Sequence, residues 1–263
     1  KCAPQEALRD CDKAFVNFFR RCKQKKKGKK GFPKFKSKKN DKQSFRLTGS
    51  IHVFDSHIQL PKIGKIKLFD KDYLPKDVKI LSATVSKRAN RWFVSLQVEE
   101  DIKTTMNTSD SIVGIDLGIK TLATCSDGII YENPKALKTN LRRLKRKSRQ
   151  VSRKQKGSKN RQKAKLNLAK LHYKISNIRK DTLHKTTSQI INENQVIVLE
   201  DLRVSNMMKN HKLALAISDV GFYEFRRQIE YKAKWYGRKV LFVDTFYPSS
   251  KLCSGCGWKN SEL

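Results

Sequence analysis

Two short apolar runs each carry an acid: Ile112-Val113-Gly114-Ile115-Asp116-Leu117-Gly118 and, with the second acid 84 positions after the first, Val196-Ile197-Val198-Leu199-Glu200-Asp201-Leu202. A carboxylate in or at the end of a buried strand is costly to desolvate, so a fold that keeps one there uses it, most often to hold a divalent cation. Asp116 and Glu200 are therefore the candidate pair for metal-dependent phosphoryl transfer. Gly114 and Gly118 bracket Asp116; a missing side chain there either lets a metal-bound phosphate approach the backbone or marks a bulge or turn. Near the end of the chain, Cys253-Ser254-Gly255-Cys256-Gly257 has the spacing of half a zinc site, with a redox pair or an accidental spacing as the other readings. Asp244, after the apolar run Val240 to Val243, is a further strand-end acid and is weighed as a third carboxylate.

The charge balance names the class of partner. The chain has 59 Lys and Arg against 24 Asp and Glu, a formal charge of +35 on 263 residues, and a polyanion is the simplest explanation. No run approaches the roughly 20 apolar residues of a spanning helix, and the start has no signal-peptide pattern, so membrane anchoring is disfavoured and a cytoplasmic, nucleoid-associated protein is expected. Cysteines at 2, 11, 22, 125, 253 and 256 do not form a disulfide framework, because only the last two have ligand spacing.

The elements that must position these residues follow from periodicity. Pro4 opens an amphipathic helix with Leu8, Cys11, Phe15, Phe18 and Cys22 at three-to-four spacing, which is read as a packing stripe. Lys23 to Lys39 holds ten lysines and no acid, with Phe32 and Phe35 interleaved. Lys34 and Lys36 there are candidates for phosphate contact beside base stacking; a solvated charge run is the alternative. From Ser44 to Glu100 the period changes to two, and short strands with turns at Pro61, Gly64, Pro75 and Ala89-Asn90 predict a small barrel or curled sheet. His52 and His57 fall in it as strand or turn residues without metal spacing. Asp101 to Asp110 reads as a linker.

At Ser111 an α/β pattern begins: strands over Ile112 to Leu117, Thr121 to Cys125 and Ile129 to Tyr131, then helices, then a buried strand at 196 to 199, an RNase H-like order. The segment 134–180 holds 19 Lys and Arg and no Asp or Glu. Beneath the charge runs a seam, Leu137, Leu141, Leu144 and Val151 against Ala164, Leu168, Leu171, Ile175 and Ile178, which predicts two antiparallel helices. Their basic outer faces, with Arg142, Arg143, Lys145, Arg146, Lys147, Arg149, Arg153 and Lys154, are the candidate nucleic-acid surface, steeply salt-dependent and without sequence preference of its own. After Glu200 a polar loop leads to another amphipathic helix, with Asp219 as its cap, Phe222, Phe225, Ile229, Ala233 and Tyr236 as its buried stripe and Gly237 as its end.

Gly114-Ile115-Asp116-Leu117-Gly118, Leu199-Glu200-Asp201-Leu202, Tyr231-Lys232-Ala233-x-x-Tyr236-Gly237 and Ser250-x-x-Cys253-x-x-Cys256-Gly257, in this order and spacing, resemble the transposon-encoded TnpB (OrfB) family. Leu8-Arg9-Asp10, Phe19-Arg20 and Gly31-Phe32-Pro33-Lys34-Phe35-Lys36 extend the match over essentially the whole chain. The resemblance implies an α/β, RuvC-like nuclease of bacterial or archaeal origin that uses a guide RNA from the transposon end to find and cut DNA, related to type V CRISPR effectors. Asp116 and Glu200 would be the first and second RuvC carboxylates, holding two magnesium ions about 4 Å apart. Cys253 and Cys256 would supply half of a zinc ribbon. The implied organisation is an N-terminal helix and basic loop at 1–40, a wedge barrel at 41–110, the nuclease domain at 111–246 with the basic hairpin 134–180 inserted, and a partial zinc ribbon at 247–263. Family members carry further segments at both ends, including a third carboxylate, so this chain reads as truncated and is expected to cut weakly or not at all; a monomer is favoured. A non-cutting, repressor-like binder of RNA or DNA and a decayed transposon relic are the alternatives.

Overall fold

In the computed structural model, which describes residues 2–24, 28, 30–34, 43–70, 74, 78–101, 111–244, 256 and 258, the chain divides into two units, Lys1–Asp101 and Ile102–Leu263. The first unit opens on α1 (Cys2–Lys23), where Pro4 is tolerated in the first turn. The expected packing stripe is only partly realised. Leu8 is 68% exposed and Cys11 is exposed, while Phe15, Phe18 and Cys22 are half-buried. The aromatic residues pack locally instead of on the strands: Phe32 meets Phe15 and Phe18 edge-on at 5.7 and 5.2 Å, and Arg21 Nη2 donates to the Gly31 carbonyl at 3.2 Å. Phe32 thus packs its edge against α1 while remaining 64% exposed. Among the described side chains of α1 the buried one is Glu6, whose carboxylate accepts from Arg9 at 2.6 Å and lies 3.8 Å from Arg46.

The period-two region forms β1 (Ser44–Leu47), β2 (His52–Val53), β3 (His57–Leu60), β4 (Gly64–Lys67), β5 (Lys79–Arg88) and β6 (Arg91–Glu99). Among the described residues they make two three-stranded antiparallel sheets, β1-β5-β6 and β2-β3-β4, where one barrel or curled sheet was expected. Leu47, Ile51, Ile58, Leu60 and Ala83 form the core that both sheets contribute to. The turn expected at Ala89-Asn90 closes β5 on β6, both residues taking the positive φ (47° and 65°) that a tight two-residue hairpin requires. His52 and His57 lie on β2 and β3 and each hydrogen-bonds a neighbouring serine. The linker reading at 101–110 falls almost wholly outside the described residues.

The second unit contains β7 (Ile112–Leu117), β8 (Thr121–Cys125), β9 (Ile130–Glu132), α2 (Ala136–Ser152), α3 (Lys159–Glu193), β10 (Val196–Glu200), α4 (Val204–Met207), α5 (Ala214–Val220), α6 (Phe222–Tyr236) and β11 (Lys239–Val243). The sheet order is β11-β10-β7-β8-β9: three antiparallel strands open the unit, and β10 then joins the free side of β7 in parallel, followed by β11. One face of this sheet is covered by α3 and α6, which bury Val113, Ile115, Ile197 and Leu199 with Leu183, Ile190, Ile191, Phe225 and Ile229.

α2 and α3 are the expected antiparallel pair, but α3 does not stop near residue 180. Its apolar period continues through Leu183, Thr186, Thr187, Ile190 and Ile191, all buried, so one 35-residue helix belongs to the basic hairpin at one end and to the sheet core at the other. The seam is buried only at the hairpin base, around Ala136, Leu171 and Ile175. Ser158 caps α3 by accepting from Arg161 N–H at 3.2 Å.

The helix after Glu200 is not continuous. Gly221 takes φ +81°, ending α5 and starting α6 in a left-handed conformation that a residue with Cβ rarely adopts. Asp219, expected to cap that helix, is 6% exposed and caps α2 instead: its carboxylate accepts from Leu137 N–H at 2.9 and 3.0 Å and Lys138 N–H at 3.1 Å, with Arg179 Nη2 at 3.5 Å. The first turn of α2 contains no acid of its own, so its orphan N–H groups take one from across the fold. α6 then buries Phe222, Phe225, Ile229 and Ala233 as expected and ends at Gly237, while Tyr236 is 39% exposed.

A polar network joins α3 to α6. Lys232, 6% exposed, donates to the His184 carbonyl, Thr187 Oγ1 and Ser188 Oγ at 2.9, 2.7 and 2.8 Å, which uses all three ammonium hydrogens. Burial pushes its pKa down. Thr187 Oγ1 lies 2.9 Å from Gln228 Oε1, and Gln228 Nε2 donates to Glu224 at 3.1 Å. Glu224 also accepts both arms of Arg227 at 2.7 and 2.8 Å, which pull its pKa down from 4.5 to about 2.

Two outcomes follow. Asp219→Ala leaves the N-terminus of α2 uncapped and Arg179 without its carboxylate, and is expected to lower unfolding stability in urea by about 2 kcal/mol. Because the folded pKa of Glu224 is depressed, its contribution is present above the unfolded value of 4.5 and is lost as pH falls toward about 2. Glu224→Gln should flatten the stability profile across that window while lowering stability at neutral pH, read by thermal melting as a function of pH.

Candidate active site and nucleic-acid interface

The strand alternation of β7 decides where Asp116 points. Val113 and Ile115 enter the core at 1% and 4% exposure, so Asp116 stands on the opposite face, where it is exposed. The premise of a buried carboxylate is thereby corrected. The strand is buried on one side only, and Asp116 keeps its contact with water. β10 alternates in the same phase, with Ile197 and Leu199 in the core and Glu200 half-buried at the strand's end.

The parallel register pairs Val198 with Gly114 and Leu199 with Ile115, and one further step sets Glu200 beside Asp116. Neighbouring strands lie about 4.8 Å apart, and registered residues share a face, so the two carboxylates are lateral neighbours at the carboxyl ends of adjacent parallel strands. The position in register with Glu200 on β11 is Val243, not Asp244. Asp244 follows the strand end in line with Asp201 and is outside the registered pair. Among the described residues no group of three or more His, Cys, Asp or Glu is arranged to hold a metal ion. The pair itself suits a cation that dehydrates reluctantly, since magnesium is commonly held by one or two carboxylates plus substrate phosphates.

The two glycines around Asp116 differ. A Cβ on Gly118 would lie 3.0 Å from the Thr121 carbonyl, so that glycine serves the tight connection from β7 to β8. On Gly114 a Cβ would meet Ser126 at an ordinary 3.8 Å, and its N–H donates to Ser126 Oγ at 3.0 Å. Cys125 is buried and its thiol is pushed up to about 11, chiefly by desolvation, which makes it a packing residue and not a nucleophile.

Adjacent acids Glu200 and Asp201 have different neighbours. Asp201 N–H donates to the Val243 carbonyl at 3.2 Å, and its carboxylate accepts from Arg226 Nη1. Arg226 also donates through Nε to Glu230 at 2.9 Å and stacks over the Phe242 ring at 4.0 Å. These hydrogen bonds, with Glu230 first, push its pKa up further, so its charge is permanent. Arg226 did not emerge from the sequence reading. The signal available was its four-residue spacing from Glu230; the pairing with Asp201 and Phe242 depends on the placement of β10 and β11 beside α6.

On the hairpin, Arg142, Arg143, Lys145, Arg146, Arg149, Arg153 and Lys154 are exposed and Lys147 is half-buried. With no acid between 134 and 180, no carboxylate of the hairpin itself neutralises them. Lys34 is exposed, and Lys36 lies outside the described residues. Cys256 is a free, exposed thiol in a turn, while Cys253 is outside the described residues. No helix among the described residues is long and apolar enough to cross a membrane.

Residues 93–211, which include both carboxylates, match the OrfB_IS605 family, described as "Probable transposase", and residues 222–263 match the "Cas12f1-like, TNB domain". A Streptomyces pristinaespiralis protein named "Putative RNA-guided DNA endonuclease" is 40% identical over 262 residues, or 98% of this chain. The chain belongs to the OrfB (TnpB) family. An Escherichia coli OrfB relative named "Putative RNA-guided DNA endonuclease InsQ" is 37% identical over 275 residues, again 98% of this chain. The chain spans 63% and 66% of the lengths of these two relatives. Among solved structures, a chain of the "Cryo-EM structure of the Cas12f1-sgRNA-target DNA complex" aligns with a TM-score of 0.57 at 18% identity, covering 96% of this chain and 63% of that one. This likeness shows that the OrfB chain shares that α/β fold.

Proposed function

We propose that this protein acts in guide-RNA-directed, metal-dependent cleavage of DNA, with Asp116 and Glu200 as the catalytic carboxylates. The observation that carries the reading is the parallel register of β7 and β10, which, carried one step past Ile115 and Leu199, sets the two acids side by side inside the residues that match the OrfB family. When bound between them, magnesium would supply a Lewis acid for the scissile phosphate and a lowered pKa for the attacking water. Asp116, open to solvent, has room for a phosphate brought by substrate; Glu200 is held closer to the core by the burial of Leu199 before it.

The basic face of α2, from Arg142 to Lys154, would grip the nucleic-acid backbone without reading its sequence. Lys34 and Lys36 would add phosphate contacts from the basic loop of the first unit. Cys253 and Cys256 would supply two thiolates of a zinc site. The relatives' names support DNA and RNA as partners. A second reading, a binder that does not cut, draws on the same exposed basic hairpin, which needs no carboxylate to hold a polyanion.

The test is cleavage of labelled single-stranded and duplex DNA by the chain with guide RNA, in magnesium or manganese. Asp116→Ala and Glu200→Gln are each expected to lower cutting by at least about 100-fold while leaving nucleic-acid affinity within about twofold. Cutting that persists in both variants overturns the assignment. Salt-dependent binding with no cutting in any metal favours the second reading. Replacing Arg142, Arg146 and Arg149 together by Gln should reduce the slope of log affinity against log salt by about 2 on single-stranded DNA, read by fluorescence anisotropy.

A further inference from the structure

Between β9 and α2 the chain reads Glu132-Asn133-Pro134-Lys135. An asparagine ahead of a proline is held toward extended backbone and readily folds its side chain onto the N–H two residues on, which ends a strand and opens a turn. Asn133 does this: its Oδ1 accepts from the Lys135 N–H at 3.0 Å, and Lys135 takes a left-handed φ of +44° before α2 begins at Ala136. The other end of the same amide reaches further. Its Nδ2 donates at 2.8 Å to the carbonyl of Ile119, 14 positions back, in the turn that joins β7 to β8. Asn133 is 9% exposed, so both bonds are made largely out of water, where a lost partner is costly.

That turn continues the strand that carries Asp116. Ile119 follows the acid by three residues and packs against the sheet core, and the Gly118 N–H donates to the Leu122 carbonyl at 3.3 Å. A Cβ on Gly118 would meet the Thr121 carbonyl at 3.0 Å, so the connection is tight. On the other side of Asn133, α2 is held at its start by Asp219 and by the burial of Ala136, and Arg142 of the basic face lies on its second turn. One side chain is thus bonded both to the end of the Asp116 strand and to the root of the cationic hairpin. The local turn needs only the amide oxygen, which an aspartate would also provide. The amide nitrogen is used on Ile119.

We infer that Asn133 is a positioning residue for the carboxylate site, fixing where a phosphate gripped by α2 arrives relative to Asp116. It touches neither metal nor nucleic acid and acts through the β7–β8 turn. The inference rests on the nuclease reading of Asp116 and Glu200 and adds to it a link between grip and site. With the clamp in place, a strand held on the hairpin presents a phosphate oxygen to a cation at the carboxylates, so nucleic acid and metal strengthen each other's binding by the same factor. Without it, the hairpin still holds the strand and the carboxylates still hold the cation, but the two events are independent.

The test measures manganese binding to the full chain by electron paramagnetic resonance, with and without a single-stranded DNA oligonucleotide, and oligonucleotide binding by anisotropy, with and without manganese. In the wild-type chain the oligonucleotide is expected to tighten manganese binding about tenfold, and Asp116→Ala to remove that binding. Asn133→Asp keeps the oxygen that accepts from Lys135 and removes the donor to Ile119; Asn133→Ser removes the donor without adding charge. Both variants should bring the coupling below about threefold while manganese alone and oligonucleotide alone bind within about twofold of wild type, a pattern that partial unfolding does not produce. Full coupling in a variant that still melts cooperatively overturns the positioning role and leaves the nuclease reading standing. The same holds if both separate affinities fall together with the folded fraction, which makes Asn133 a folding residue only, or if the wild-type chain shows no coupling. Manganese binding that Asp116→Ala leaves unchanged overturns the inference and the nuclease reading together.

Discussion

The parallel pairing of β10 with β7 is the constraint on which the second unit depends. Val113 and Ile115 on one strand and Ile197 and Leu199 on the other must enter the same core, and that requirement sets the register to Val198 beside Gly114 and Leu199 beside Ile115. A slip of one residue would drive Asp116 or Glu200 into the helices, where a carboxylate costs several kcal/mol to desolvate. Hydrophobic burial on one face therefore aligns two acids on the other. The site needs no dedicated scaffold beyond the sheet.

Around that pair the fold manages an excess of positive charge. The hairpin has no acid of its own, and its repulsion is opposed by a narrow apolar contact at its base and by Asp219, which satisfies the first N–H groups of α2 from a different helix. α3 carries the connection further: one half lies in the cationic hairpin, the other against the sheet, tied to α6 through Lys232, Thr187 and Gln228. The basic surface and the carboxylates are thus borne by one continuous hydrogen-bonded framework. Arg226 adds a local anchor at the strand ends by binding Asp201, the acid next to Glu200.

Both acids, the order of strands and helices in the second unit, the antiparallel helix pair, the Gly237 stop and the hairpin turn at Ala89-Asn90 were legible in the sequence, because each rests on local periodicity or on a turn residue within a few positions. The misreadings share a cause of the opposite kind. Asp219 stands where a local cap is expected, and only the approach of α5 to α2 redirects it. α3 was cut short where its charge pattern changes, although its apolar period runs on to Ile191. The stripe of α1 reads as one packing face, whereas Leu8 and Cys11 are exposed and Phe15 and Phe18 pack with Phe32.

The sequence by itself determined the chemistry present: two acids in apolar strands, a cationic surface with no local counter-charge, and the motifs that mark the OrfB family. Only the tertiary structure decided that the acids are neighbours, that Asp116 is solvated instead of buried, and that Asp244 stands outside the pair. The physical reason is range. Periodicity and turn chemistry act over a few residues, whereas register and capping across elements depend on which strands and helices meet, and 84 residues separate the two carboxylates that meet here.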